Sequence, residues 1–390
     1  MTLRKAIVVG GGIGGLATAL GLRRAGWQVT MLERATAFQQ VGAGLTLAPN
    51  AVRALDFLGL GEHLRGRGMA QGAAGLRTCA GRWIMRTRVE ELQHRFGVPA
   101  FALHRADLHS MLIDALDEVD VRTGHTVTGL PDGHTIACEG AGRSETMDAD
   151  LIVAADGVHS RLREILFPGH PGPSYAGYVT WRGVVPADRV PSGVPGSLTE
   201  SWGRGKRIGI IPLGDGRVYW YATRSVPEGA CADADLAEVT SWYAGWHRPI
   251  PQLLAATPPE ALLRNDIYTV DTPLATYVRG AVALLGDAAH AVTPDLGQGA
   301  CQALEDAVTL TALLESETDL GSALTAYDQQ RRPRTQQLVR ASAQFGRIAQ
   351  WRNPLAATVR DTLTGLVPAR TYLASTAETL NWRPPITTRP

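Results

Sequence analysis

Ala6-Ile7-Val8-Val9-Gly10-Gly11-Gly12-Ile13-Gly14-Gly15 is the stretch on which the fold turns. Its first four residues are apolar and mostly β-branched, the composition of a strand buried on both faces of a parallel sheet. Ile13 to Ala25 then reads as a helix with small residues, Gly14, Ala17, Thr18 and Gly21, on one side, and Gly26 is placed to end it. Gln28-Val29-Thr30-Met31-Leu32-Glu33 is a second strand, which completes a βαβ opening. Within it, Gly10-x-Gly12-x-x-Gly15 has the spacing of a dinucleotide fingerprint. Gly10 permits a tight turn, Gly12 lets the backbone approach a pyrophosphate, and Gly15 lets the helix lie close on the strand. The N-terminus of the helix then turns unpaired N–H groups and its positive dipole end toward phosphates. Glu33, at the end of the second strand, stands where an acid accepts hydrogen bonds from ribose hydroxyls. The alternative is a tight glycine turn that binds nothing.

The fingerprint alone does not separate a nicotinamide from a flavin dinucleotide. Two later segments bear on that choice. Asp156-Gly157-x-x-Ser160-x-x-Arg163 follows the buried strand Ala149 to Ala155, and Gly286-Asp287-Ala288-Ala289-His290 follows a second one, Ala281 to Leu285. The latter continues through Pro294-x-x-Gly297-Gln298-Gly299 into a helix from Gly299 to Leu314. Asp287 ends a strand at the crevice edge where α/β folds bind ligands, and its carboxylate can accept a hydroxyl from a ribityl chain. The Gly297-Gln298-Gly299 turn lets backbone N–H groups approach a ring and favour negative charge on it.

Between these segments the pattern changes. Tyr178 to Val184 and Arg207 to Ile211 read as alternating strands, and Asp215-Gly216 is a hairpin signal before Arg217 to Ala222. The expected architecture is therefore α/β: a Rossmann-type domain with an inserted, mainly antiparallel-sheet substrate domain and C-terminal helices. Residues 1–75, 101–170 and 276–322 are assigned to the first domain, 76–100 and 171–275 to the second, and 323–390 to the C-terminal helices and tail.

Composition narrows the function classes. The 390 residues carry 38 Lys+Arg against 37 Asp+Glu, a net charge of +1, which gives no long-range pull toward nucleic acid. With 45% hydrophobic residues the chain has ample material for a core, and disorder is excluded. The four cysteines, Cys79, Cys138, Cys231 and Cys301, are scattered and spell neither a disulfide framework nor a zinc site. The apolar stretch Ala6 to Leu22 is broken by glycines and is no signal peptide, and no window reaches the length of a membrane span. A cytoplasmic protein is expected, as monomer or homodimer, with no metal. Arg331-Arg332-Pro333-Arg334 is expected to form a solvated helix face or an ion-pair cluster rather than a nucleic-acid patch.

Three separated motifs in this order make the chain resemble the FAD-dependent aromatic hydroxylases, the single-component flavoprotein monooxygenases of the p-hydroxybenzoate and salicylate hydroxylase type. The resemblance implies FAD as cofactor, NADH or NADPH as a transient co-substrate, and O2. It further implies hydroxylation of an aromatic or heteroaromatic small molecule through a flavin hydroperoxide. Gly10, Gly12, Gly14, Gly15, Glu33 and Arg34 would hold the ADP half of FAD. Arg105, Asp156, Gly157, Gly286 and Asp287 would serve its phosphates and ribityl chain. Thr46 and the loop Pro294, Leu296, Gly297, Gln298, Gly299 and Ala300 would flank the isoalloxazine. A single dinucleotide fingerprint leaves the nicotinamide without a fold of its own. An epoxidase or reductase on the same fold, or a flavin-binding protein without turnover, are the alternatives. No W-x-W-x-I-P segment is present, which argues against a halogenase.

Within the family, the chain is similar to FAD-dependent urate hydroxylases, with Tyr175-Ala176-Gly177-Tyr178-Val179 and Gly205-Lys206-Arg207 among the matching segments. That likeness implies that Arg207 and Tyr219 serve the substrate: Arg207 by a two-pronged bond to an anion, Tyr219 by orienting or stacking. The alternative places Arg207 on the solvent side of a strand and Tyr219 in the core. Thr180 departs from the asparagine of the urate enzymes and cannot make the same pair of contacts. Arg182, two residues on, faces the same side of the strand and is either an anion anchor or the partner of a carboxylate across the sheet. His290 tempts a general-base reading, against a structural or flavin-proximal one.

Overall fold

The computed structural model describes residues 4–38, 43–71, 74–87 and 95–385. Parts of the expected segments at 1–75 and 76–100 thus lie outside the described residues, as do Gln39–Gly42 ahead of Thr46. The opening βαβ unit forms as its sequence dictates: β1 (Lys5–Val9), α1 (Ile13–Arg24) and β2 (Gln28–Glu33). Gly26, at φ +83°, turns the chain out of α1 in the left-handed conformation that glycine adopts without steric cost. The parallel register sets Ile7 beside Thr30 on one side and beside Ile152 on the other. The resulting six-stranded sheet runs Val278–Arg279, Val282–Leu284, Leu151–Ala154, β1, β2, Asp120–Thr123, and all neighbours but the first pair are parallel.

The small face of α1 packs on the helix Gly299–Ser316. A Cβ on Gly14 would lie 2.7 Å from Leu285 Cδ2 and 3.1 Å from Ala303 Cβ, and one on Gly21 would lie 2.5 Å from Thr311 Oγ1. The missing side chain of Gly14 thus lets two helices approach.

A second, seven-stranded sheet runs Leu263–Thr269, Ser174–Val185, Val218–Arg224, Lys206–Pro212, Leu198–Trp202, Ala74–Thr78, Trp83–Arg86. Its neighbours are antiparallel except Leu198–Trp202 beside Ala74–Thr78. Alternation divides its faces. Val179, Trp181, Val185, Ile208, Ile210, Trp220 and Ala222 point one way and form a core with Tyr243, Ile250, Leu253 and Leu254. The other face carries Thr180 and Arg182, opposite Thr223 and Tyr221, with Arg207 and Gly209 one strand further.

The 30-residue helix Leu320–Ala349 joins the two sheets. Near its start Tyr327 donates to the Leu284 carbonyl of the parallel sheet at 3.0 Å. At its end the Phe345 ring meets Trp202 edge-on, and Gln350 donates to Thr223 Oγ1 at 2.7 Å. The four cysteines are free. No helix among the described residues is long and apolar enough to cross a membrane.

Candidate active site

The dinucleotide end is built around Glu33. Gly11 N–H donates to its Oε2 at 2.7 Å and Ala35 N–H to its Oε1 at 2.8 Å. A carboxylate has roughly four acceptor sites, so capacity remains for a ribose edge. Gly10 (φ +107°) would place a Cβ 2.3 Å from the Ala155 carbonyl oxygen, and Gly15 would place one 1.9 Å from the Gly10 oxygen. The fold itself demands these two glycines. Gly12 differs, since a Cβ there would meet nothing within 4 Å. It is the N-cap of α1, no side chain caps that terminus, and the first turn carries no acid. Open space before an uncapped 12-residue helix fits a pyrophosphate. His109, not singled out from the sequence, secures the loop: its Nε2 pairs with Gly11 O at 2.8 Å and its ring stands edge-on to Phe38. Arg34 is exposed beside Glu33.

Asp156 and Gly157 do internal work. Asp156 accepts from Ser160 Oγ at 2.5 Å and from Leu162 N–H at 3.1 Å, while Ser160 caps the helix Arg161–Leu166. Arg163, buried, donates to the carbonyls of Val158 at 2.6 Å and Ala288 at 3.1 Å, and so props the Asp287 turn from below. Gly157 (φ +84°) has open space where a Cβ would stand.

At the flavin end, Gly286 turns at φ +59° and Asp287 opens a short helix with its carboxylate on the cleft, hydrogen-bonded to none of the described residues. The surrounding protein raises the Asp287 carboxyl, while His290 and Arg105 pull it down and Asp306 adds to the rise. Arg105 begins the helix Arg105–Asp114. Its surroundings and Arg182 lower its pKa and Asp287 raises it. Arg105, Arg182 and Asp287 therefore share one electrostatic neighbourhood. Pro294–Leu296 is a single turn, Gly297 is left-handed (φ +64°) with open space beside it, and Gln298 precedes the uncapped N-terminus of Gly299–Ser316. Ala300 packs on the core. Thr46 runs alongside, its backbone carbonyl near Cys301 Sγ, and its own hydroxyl is buried without a partner among the described residues. An orphaned hydroxyl, a free carboxylate and an uncapped helix beside an open glycine turn suit the ribityl chain and pyrimidine edge of FAD.

Beneath this surface lies a buried charge network. Asn50 Nδ2 donates to Gln298 Oε1 at 3.0 Å and to Glu305 Oε1 at 2.6 Å. Arg331 bridges Glu305 and Asp306 at 2.5 and 2.6 Å, and Arg334 adds a bond to Glu305 at 2.8 Å. Arg332 pairs with Asp328 one turn back. The basic run is thus an ion-pair cluster. His290 donates from Nε2 to Asp306 Oδ2 at 2.6 Å, lies 3% exposed beside Tyr277, and belongs to this network rather than to a substrate surface. Burial alone would raise Asp306, but His290 and Arg331 overcome it and hold its carboxyl well below the usual range.

The face of the second sheet supplies the other wall. Arg207 is 2% exposed, so the solvent-facing alternative is overturned. Nor is its fork free for a two-pronged grip on an anion: Nη1 reaches Glu200 at 3.3 Å and Nη2 is bound by Asp295. Burial would lower the Arg207 pKa, yet the two carboxylates raise it. Asp295 also accepts from Tyr178 OH at 2.9 Å, and Glu200 from Tyr221 OH and Trp202 Nε1. Gly209 is bare because Tyr221 lies across it, 2.1 Å from where a Cβ would stand. Gly346 of the long helix is bare for Asp295, at 2.3 Å. Arg182 bonds Asn265 rather than a carboxylate. Tyr219 lies against Gly44. Its hydroxyl bonds no described residue, and burial pushes it up to about 12 against the pull of Arg182. Among the described residues, Thr180 Oγ1, Arg182 Nε and Arg207 Nε of this sheet face are buried without a partner. Asp295, Glu200 and Asn265 were missed from sequence. No group of His, Cys, Asp and Glu among the described residues is placed to hold a metal.

With this geometry in hand, comparison with known proteins is direct. The family described as FAD binding domain matches residues 4–342. The aurachin C monooxygenase/isomerase of Stigmatella aurantiaca is 37% identical over 97% of this chain and 98% of that enzyme. An FAD-dependent urate hydroxylase of Klebsiella pneumoniae is 36% identical over 86% of this chain and 88% of its own length. The crystal structure of Klebsiella pneumoniae HpxO complexed with FAD and uric acid superposes with a TM-score of 0.89 at 30% identity, covering 97% of this chain and 96% of that one.

Proposed function

Since the chain belongs to the FAD-binding family of aromatic-ring monooxygenases, we propose that its substrate is a planar heteroaromatic ring bearing oxo or hydroxy groups, held against the sheet face of Thr180, Arg182 and Tyr219. The activity itself is that of an FAD-dependent monooxygenase hydroxylating an aromatic or heteroaromatic compound, and its relatives carry that chemistry. FAD, when bound, supplies hydride acceptance from NAD(P)H and the activation of dioxygen. The chain's residues bind, orient and shield. Gly12 and the start of α1 would take the pyrophosphate, Glu33 the ribose, and Asp287 with Arg105 the ribityl region. The start of Gly299–Ser316, whose N-terminus is uncapped, would lie near the ring, where its N–H groups would favour negative charge.

One observation carries the substrate class: the unpartnered donors on the sheet face. Two are guanidinium Nε groups, which donate only, and a buried donor left without an acceptor is costly. Ring oxygens would satisfy them. A bidentate carboxylate would find the Arg207 fork already filled by Glu200 and Asp295. Uric acid, the ligand of HpxO, has the favoured chemistry, although Thr180 stands where the urate enzymes carry asparagine. The test is a panel of oxo- and hydroxy-quinolines, oxopurines and hydroxybenzoates, with NAD(P)H oxidation, oxygen uptake, peroxide and product mass followed together. Coupled oxygen insertion is expected for an oxo-heteroaromatic. Coupled turnover confined to benzoates would overturn the assignment.

A further inference from the structure

The helix Pro354–Leu366 packs on the edge strand Trp83–Arg86 through one side only. Ala357 and Arg360 are buried, Arg360 donates to the carbonyls of Ala349 and Gly203 at 2.7 and 3.1 Å, and Gly365 approaches the Ile84 carbonyl. The opposite side is apolar and bare. Leu355 is 79% exposed, Val359 52%, Leu363 59% and Leu366 72%. At 100° per residue these four fall within roughly a quarter-turn of the helix, one continuous stripe. Val367, Ile348 and Trp351 extend it at the two ends, also exposed.

The stretch of chain that carries it is strongly basic. From Arg340 to Arg370 the chain holds five arginines and a single acid, Asp361, which is tied to Arg360. Arg347, Arg352 and Arg370 are exposed at the ends of the stripe, and Arg86, stacked 4.3 Å over Trp83, is exposed on the strand beneath. A chain whose total charge is +1 thus concentrates positive charge around its largest exposed apolar stripe.

We propose that this helix is an interfacial docking face for an anionic lipid bilayer, lying in the headgroup plane with Leu355, Val359, Leu363 and Leu366 inserted. The pattern is that of an amphipathic helix whose leucines enter the acyl boundary while arginines and a tryptophan meet the headgroups. Charge decides against a second copy, because pairing the stripe with itself sets Arg347, Arg352 and Arg370 against their copies while the one acid of the stretch, Asp361, is already tied to Arg360.

The experiment is co-sedimentation of the FAD-loaded protein with vesicles of phosphatidylcholine alone or with phosphatidylglycerol, with and without 0.5 M salt (about a 4 Å screening length). Light scattering of the free protein runs beside it. Binding to the anionic vesicles, weakened by salt, is expected. Val359→Asp with Leu363→Asp abolishes it, and Arg352→Gln or Arg370→Gln each lowers partitioning about fivefold, the equivalent of ~1 kcal/mol per arginine. These residues lie outside the cofactor and substrate sites, so FAD content and thermal midpoint stay at the parent values and separate lost binding from misfolding. Equal sedimentation with and without anionic lipid, binding that survives Val359→Asp/Leu363→Asp, or a dimer that this variant dissolves would each overturn the proposal.

Discussion

Replacing Gly12 by Ala and, separately, Gly15 by Ala asks which glycine serves the ligand and which serves the fold. A Cβ on Gly12 meets no atom within 4 Å, and the backbone there (φ −76°, ψ 178°) is open to any residue. An alanine N-cap costs somewhat less than ~1 kcal/mol, and the stiffer unfolded chain returns about half of that. The FAD-free protein should therefore melt within a degree or two of the parent. The same methyl stands in the space before the helix where a pyrophosphate would pass. Losing two charge-assisted N–H contacts, at roughly 1.5 kcal/mol each, removes ~3 kcal/mol, or roughly a hundredfold in FAD affinity. Gly15→Ala reverses the pattern. Its Cβ would sit 1.9 Å from the Gly10 oxygen, where ordinary contact begins near 3.4 Å, so the strand-to-helix junction must open by about 1.5 Å. That overpacking costs at least ~1–3 kcal/mol with or without ligand. The assays are fluorescence titration of the apoprotein with FAD and thermal melts with and without FAD. If Gly12→Ala binds FAD as the parent does, or destabilises the apoprotein as Gly15→Ala does, the assignment of the open space to a phosphate fails.

Three further outcomes follow from the site. Tyr219→Phe removes a hydroxyl that bonds no described residue, so stability should change by less than ~0.5 kcal/mol while KM for the coupled substrate rises severalfold and FAD affinity stays put; steady-state kinetics and an FAD titration read both. Arg331→Met strips the shared partner from buried Glu305 and Asp306 and should cost ~3–5 kcal/mol in denaturant melts. Asp306 titrates below its unfolded value, so the stability it confers is complete above about pH 4 and is lost as pH falls toward its depressed folded value; a parent melt series from pH 7 down should show that acid loss, and an Asp306→Asn background should lack its share of it.

The first half of this site was legible because its chemistry is written in local spacing. Gly10, Gly12, Gly15 and Glu33 form one βαβ unit, and strand ends announce Asp156 and Asp287. The second half was not, because its partners meet only through sheet register. Glu200 and Arg207 come together because their strands are antiparallel neighbours, and Thr180 faces Asn265 for the same reason. Asp295 is a lone acid in a turn with no periodic signal. Its importance depends on Tyr178, 117 residues earlier, and on Gly346, where a missing side chain leaves it room. Gly14 shows the converse: that a glycine inside a nucleotide motif also makes a helix contact, with Ala303, emerges only once the second helix is placed.

Asp295 is where the two halves meet. It lies in the turn that leads into Gly297, on the loop assigned to the isoalloxazine, yet its carboxylate is held from the substrate sheet by Arg207 and Tyr178. In the proposed function one side chain therefore fixes the loop beside the flavin relative to the wall that receives the ring. Hydroxylation by position needs that separation set within about half an ångström before the substrate arrives. A buried arginine clamped between two carboxylates is rigid, and its Nε, without a partner among the described residues, presents a donor from an already fixed plane. On the proposed reading Arg207 would serve the reaction chiefly by holding the loop, its two bonded Nη atoms already engaged by Glu200 and Asp295. On that reading Tyr219, Thr180 and Arg182, which no carboxylate of the described residues restrains, would distinguish one ring from another.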